Sequence, residues 1–100
     1  MMFTQQDKDR VYNAAIRLLA RREYGVLEIS KKLARKHQAR LVEEVVSHLV
    51  EQNLVSDSRF AESLCNSRRG RGYGPMYIIQ ELSMRGIGKE IILECVDKSE

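Results

Sequence analysis

The sequence predicts an all-α fold of two tandem three-helix repeats, and three observations carry that prediction. Apolar residues recur at three- and four-residue spacing along most of the chain, and no stretch reads as a strand. Sliding the sequence by 49 residues superposes Tyr24-Gly25 on Tyr73-Gly74, Ile29 on Ile78, Leu33 on Leu82, Arg22 on Arg71 and Lys36 on Arg85. Helix punctuation is densest between residues 57 and 88, with a start at Asp57, a glycine-broken basic loop from Arg68 to Gly74, a restart at Pro75 and a stop at Gly86. The repeats divide the chain into residues 1–54 and 55–100, six helices in all.

The first helix opens with Thr4 and Asp7, spaced as a capping box, and Val11, Ala14, Ala15, Leu18 and Leu19 give it one apolar stripe that continues to about residue 22. Arg17 and Arg21 lie four apart on another face. Gly25 interrupts the pattern, and a second helix is expected over 26–36 with Val26, Ile29 and Leu33 inward. Lys31, Lys32, Arg35 and Lys36 crowd its outer side, where like charges at helical spacing cost a few tenths of a kcal/mol each. A third helix over 39–52 turns Val42, Val45, Val46, Leu49 and Val50 inward and Glu43, Glu44 and Glu51 outward; Asn53 suits a left-handed closing turn, with Leu54 packing back.

The second repeat begins with Asp57 as an N-cap and Phe60, Ala61, Leu64 and Cys65 as an inward stripe. Pro75 suits the first turn of the fifth helix, in which Met76, Ile79 and Leu82 face inward with Ile78 at the edge; Gly86 and Ile87 close it. The sixth helix runs over 89–96 with Ile91, Ile92, Cys95 and Val96 inward.

Composition sets the broad class. One hundred residues, 43% hydrophobic and 31% charged with one proline, suit one compact domain or two small units rather than a disordered chain. No apolar run approaches the roughly 20 residues of a membrane helix, and the N-terminal MMFTQQDKDR has acids where a signal peptide has basic and apolar residues, so a cytoplasmic protein without membrane contact is expected. Cys65 and Cys95 sit in apolar stripes, as buried free thiols do, and His37 and His48 match no metal-ligand spacing. Neither cofactor nor metal is expected.

Charge is more informative than its total of +3. Residues 10–40 carry nine Lys/Arg against two acids, 41–62 one against five, 63–89 five against one and 90–100 one against four. Each repeat therefore has a basic front and an acidic third helix, a surface for a polyanion or an acidic protein groove. Gly70-Arg71-Gly72-Tyr73-Gly74 lacks the preceding strand and the downstream Lys-Ser/Thr or acid of a nucleotide-binding loop, so it reads as a bent basic connector bearing Tyr73. No nucleophile, base and orienting acid share a local signature, which removes catalysis from the reading. The basic positions are almost all Lys and Arg, suited to tracking a backbone rather than reading base edges.

Leu54-Val55-Ser56-Asp57-Ser58-Arg59-Phe60-Ala61-Glu62, then Gly72-Tyr73-Gly74-Pro75, then Ile79, Glu81-Leu82 and Arg85-Gly86-Ile87 resemble the RecX family of regulators of the RecA recombinase. They stand where that family has its D-x-R-F-A segment, its G-x-G-P loop and its E-L-x-x-K-G-I helix end. The first repeat is similar more loosely, through Ala15, Leu19, Arg22, Glu28-Ile29 and Lys32-Leu33, with Gly25 where the family usually has serine. The resemblance implies a curved array of three-helix repeats. It also implies binding to the RecA nucleoprotein filament that limits filament growth, ATP hydrolysis, strand exchange and co-protease activity.

On this reading the contacts to RecA or to single-stranded DNA fall first on Arg21, Arg22, Lys31, Lys32, Arg35 and Lys36, then on Arg68, Arg69, Arg71, Tyr73 and Arg85. Asp57, Phe60, Gly74, Pro75, Leu82 and Gly86 match the motif as a cap, core anchors and turns. The resemblance also implies a third repeat, and two repeats alone are expected to leave apolar surface near Ile91, Ile92 and Val96 through which the chain self-associates. The alternative is a general basic helical binder of single-stranded nucleic acid with no recombinase partner.

Overall fold

The computed structural model describes residues 2–97. Six helices are assigned among them: α1 (Gln5–Leu19), α2 (Val26–Ala34), α3 (Ala39–Glu51), α4 (Asp57–Gly70), α5 (Pro75–Met84) and α6 (Lys89–Asp97). They form two compact units that part between Ser56 and Asp57.

In the first unit the α1 start is the expected reciprocal cap. The Asp7 amide donates to Thr4 Oγ1 and the Thr4 amide donates to the Asp7 carboxylate, each at 3.1 Å. Hydrogen bonding to its oxygens from the Thr4 backbone amide, the larger cause, and from the Thr4 side chain holds the Asp7 carboxyl below the usual carboxylate range. α1 ends at Leu19, short of residue 22, and α2 ends at Ala34, short of residue 36. The early end of α1 has a tertiary cause: the chain leaves the helix so that Tyr24, 3% exposed, can enter the core beside Val11, Ala15, Ile29 and Leu33.

α3 buries Leu41, Val42, Val45, Val46 and Leu49. Val50, expected inward, is exposed; it stands about 100° round the helix from Leu49, outside the stripe that Leu41 completes. The helix closes as expected through Asn53 at φ 60°, with the Asn53 amide donating to the Val50 carbonyl and the Leu54 amide to Leu49. The residue that then packs back is Val55, which is buried in the first core, while Leu54 is exposed. Fully buried Ile29 and Leu49 each contribute about 1.5–3 kcal/mol by leaving water.

The second unit has its own core of Phe60, Ala61, Leu64, Cys65, Ile78 and Leu82, joined by Ile87 and Ile92. Asp57 is itself in the first turn of α4 rather than preceding it. α4 then runs through Arg68 and Arg69 to Gly70, so the basic loop is shorter than the glycines suggested: Gly72 at φ 89° closes the helix, with its amide on the Arg69 carbonyl and the Tyr73 amide on Arg68. Pro75 occupies the first turn of α5, and Gly86 at φ 81° ends it with the Ile87 amide on Leu82.

Two expected positions on α5 exchange roles. Ile78 is fully buried with Leu82, whereas Met76 is 77% exposed, because two residues along a helix turn a side chain by about 200° to the opposite face. On α6, Ile92 is buried within its own unit and Ile91, Cys95 and Val96 are half-buried against the same core. Of the expected apolar surface near Ile91, Ile92 and Val96, Ile92 is covered and the other two are partly covered, while Leu93 among them is exposed. The exposed apolar residues of this unit are Tyr73, Met76, Tyr77, Met84 and Leu93. No helix among the described residues is long and apolar enough to cross a membrane, and no cluster of three His, Cys, Asp or Glu among them could hold a metal ion.

Candidate functional site

The basic residues at and around the ends of α1 and α2 separate into three groups. Arg17 comes from the last turn of α1 and Arg21 from the turn after it, and Lys32, Lys36 and His37 come from the end of α2 and the turn after it. Together they rim an open groove of about 570 Å³ whose floor is Ala14, Leu18 and Leu33, and no carboxylate lines it. Lys32 Nζ leans over the Tyr24 ring, 5.7 Å from its centroid and 3.5 Å from its hydroxyl. Arg17, Arg21 and Lys36 make no ion pair with a described residue. Part of this charge complements the negative C-terminal ends of α1 and α2, a bland role worth a few tenths of a kcal/mol per cation. Four Lys/Arg around one apolar floor exceed what two helix ends use.

Arg22 is engaged elsewhere. Its guanidinium donates to both Glu28 carboxylate oxygens at 3.1 and 2.9 Å and to the Glu23 carbonyl at 2.9 Å, and lies 3.8 Å over the Tyr24 ring. The Glu28 hydrogen bonds push this guanidinium up from its ordinary range. Arg22 thus clamps the α1–α2 connection. Lys31 and Arg35 are exposed, lie outside the groove and make no ion pair with a described residue. Of the six basic residues singled out in this unit, the groove takes Arg21, Lys32 and Lys36. It adds Arg17, for which the four-residue spacing to Arg21 was the available signal, and His37, for which the sequence held none.

In the second unit three of the expected contact residues tie helices together. Arg68 donates to both Glu81 oxygens at 2.7 Å, and Arg85 donates to Glu81 Oε2 from Nε and Nη2 at 3.2 and 3.0 Å. The Arg68 and Glu81 side chains are only 18% and 16% exposed. Hydrogen bonding by Arg68, more than by Arg85, holds the Glu81 carboxyl below its ordinary range against the opposing effect of burial, and the carboxylate pushes Arg68 up in turn. Arg85 also reaches over the Phe60 ring, 5.8 Å from its centroid. Arg69 turns to α6 and donates to the Cys95 carbonyl at 2.9 Å.

Arg71 and Tyr73 are left facing solvent. Tyr73 stacks on Tyr77 with ring centroids 4.2 Å apart and planes 14° off parallel. Tyr73 and Tyr77 are 42% and 46% exposed, and Met76 and Met84 of α5 are exposed as well. In the first unit Tyr24, the repeat counterpart of Tyr73, lies in the core instead. An aromatic beside a glycine turn anchors one repeat and projects from the other.

Comparison with known proteins agrees with both units. The model of the RecX first three-helix domain matches residues 12–49, and that of the RecX second three-helix domain matches residues 56–95. The chain is 43% identical over 93 residues to the regulatory protein RecX of Halorhodospira halophila, covering 92% of this chain and 58% of that protein. It is 37% identical over 91 residues to the regulatory protein RecX of Pseudomonas putida, covering 90% and 64%. The chain thus spans about three-fifths of the length of these relatives. The crystal structure of RecX from Lactobacillus salivarius is similar in fold, with a TM-score of 0.85 at 24% identity over 97% of this chain and 64% of that one.

Proposed function

As the chain belongs to the RecX family, we propose that it regulates the RecA recombinase, mainly as an inhibitor, by binding the RecA filament on single-stranded DNA in the bacterial cytoplasm. Bound there, it limits filament growth and lowers ATP hydrolysis, strand exchange and co-protease activity. The chain's own part in this is binding and not a chemical step. The observation that carries the reading is the α1/α2 groove, where Arg17, Arg21, Lys32 and Lys36 converge with no carboxylate among the lining residues. Cations around an apolar floor suit an anionic surface that also presents apolar groups, as an acidic protein groove does.

The test is to titrate the chain into RecA assembled on single-stranded DNA and follow ATP hydrolysis, with its affinity for free DNA measured at the same salt. Half-inhibition is expected at a concentration at least about tenfold below that which coats the free strand. Inhibition that begins only when the DNA is coated would overturn the recombinase reading.

A second reading, general binding of single-stranded nucleic acid, is favoured by the exposed Tyr73–Tyr77 stack beside Arg71. Stacking of an unpaired base on an aromatic ring contributes about 1–3 kcal/mol. On that reading the Tyr73→Ala, Tyr77→Ala chain loses about tenfold or more in affinity for an oligothymidylate. On the recombinase reading the same chain keeps its inhibition of the filament within about threefold, since the groove on the first unit is untouched.

A further inference from the structure

The two cysteines of the chain, placed by the sequence in separate apolar stripes, line one small cavity of about 170 Å³ where α4 packs on α6. Cys65 Sγ lies 3.8 Å from the carbonyl oxygen of Cys95. A carbonyl oxygen and the Cα of its own residue are about 2.4 Å apart, so the Cys65 sulfur is at most about 6 Å from the Cys95 Cα, and closing a bridge requires the two side chains to rotate toward each other. The residues differ in access: Cys65 is buried and Cys95 is half-buried. Arg69 joins them, with one guanidinium nitrogen donating to Cys65 Sγ at 2.7 Å and to the Cys95 carbonyl at 2.9 Å. Ser58 and Asn66 add polar side chains to the same cavity, so it is not a sealed apolar void.

From this arrangement we propose that Cys65 and Cys95 are a redox-active pair that closes to an intramolecular disulfide on reaction with a hydroperoxide. Cys95, the more accessible, is the sulfur that meets the peroxide. Its thiolate attacks one peroxide oxygen, the O–O bond breaks, and Cys95 becomes a sulfenic acid while the second oxygen leaves as an alcohol or, from hydrogen peroxide, as water. Cys65 then attacks the Cys95 sulfur as a thiolate. The S–S bond forms, the S–O bond breaks, and the departing hydroxide takes up the proton from Cys65 and leaves as water. Two thiols are oxidised by two electrons in total, and one hydroperoxide is reduced by two. Arg69 is a positioning residue: its cation faces the sulfur that attacks in the second step, and its hold on the Cys95 carbonyl keeps the end of α6 beside α4.

The intact chain is treated with hydrogen peroxide, quenched, alkylated in denaturant and analysed by intact mass and peptide mapping. The expected product is a monomer lighter by two hydrogen atoms, carrying no alkyl group, with Cys65 and Cys95 peptides joined. Two variants assign the order of steps. Cys65→Ala leaves a sulfenic acid at Cys95 that dimedone traps, and Cys95→Ala leaves Cys65 unoxidised at the same peroxide exposure. Arg69→Gln slows closure without lowering the dimedone-reactive yield at Cys95 in the Cys65→Ala background. Full alkylation of both thiols after treatment, or bridges found only between chains, would overturn the proposal.

Discussion

The Glu81→Gln chain is expected to lose about 2–4 kcal/mol of stability in its second unit, read as a lower urea midpoint with an unchanged slope. Glu81 accepts from both Arg68 and Arg85. Its replacement by a neutral amide takes the carboxylate away from the Arg68 guanidinium in a site where both side chains are less than one-fifth exposed. Water screens such a site poorly, so the partners left behind cost more than an exposed pair would.

The Arg22–Glu28 pair provides the comparison. Its arginine side chain is 47% exposed, and Glu28→Gln there should cost no more than about 1 kcal/mol. The same network gives stability a pH dependence. The Glu81 carboxyl is held below its ordinary value of 4.5, so its contribution is fully present above that pH and disappears as pH falls through the lower folded-state value. The difference in stability between the parent and Glu81→Gln chains should therefore shrink steadily on acidification below about pH 4.5. Equal urea midpoints at neutral pH would show that the pair contributes nothing net.

Loss of filament inhibition is the larger functional effect expected, and it separates the groove from charge in general. Arg21→Gln with Lys36→Gln removes two positive charges from the groove rim; Lys31→Gln with Arg35→Gln removes two from exposed positions outside it. The first pair should raise the half-inhibitory concentration by about 10–100-fold and lower the salt dependence of binding, by roughly 0.7 in the log–log slope for each phosphate of a single strand that is no longer neutralised. The second pair should change it by no more than about threefold, the share due to long-range attraction. Both should melt like the parent, because none of the four side chains makes an ion pair with a described residue. Equal losses from the two pairs would mean that net charge, and not the groove, does the binding.

Several features were legible in single residues. Thr4 and Asp7 make the cap their spacing announces, Asn53 and Gly86 take left-handed backbone, and Pro75 opens its helix. Each depends on neighbours within about four positions, which is the range over which a sequence states its physics directly. The inward stripe of α4 was legible too, since Phe60, Ala61, Leu64 and Cys65 leave only one apolar face. Where the apolar stripe is broad, as on α3 and α5, several rotations of the helix are equally apolar. There the packing partners, and not the pattern, turned Leu41 and Ile78 in and Val50 and Met76 out.

The basic residues divide along the same line. A run of Lys and Arg shows that a surface is positive but not which cations are already held. Arg22, Arg68, Arg69 and Arg85 read like their neighbours, yet each meets an acceptor one to 26 positions away in sequence. Arg17 and His37 reach the groove through the packing of α1 on α2.

By itself, then, the sequence determined the helical class, the two three-helix units, most of their caps and the family, because all of these are written in local spacing or in motifs a few residues long. Tertiary structure alone decided which cations converge on one groove and which clamp helices, that Tyr24 is core while Tyr73 stacks in solvent, and that two cysteines 30 positions apart share a cavity. Those outcomes depend on distances between residues far apart in the chain, and they are settled only when the apolar faces close on one another and bring remote side chains within a few ångströms.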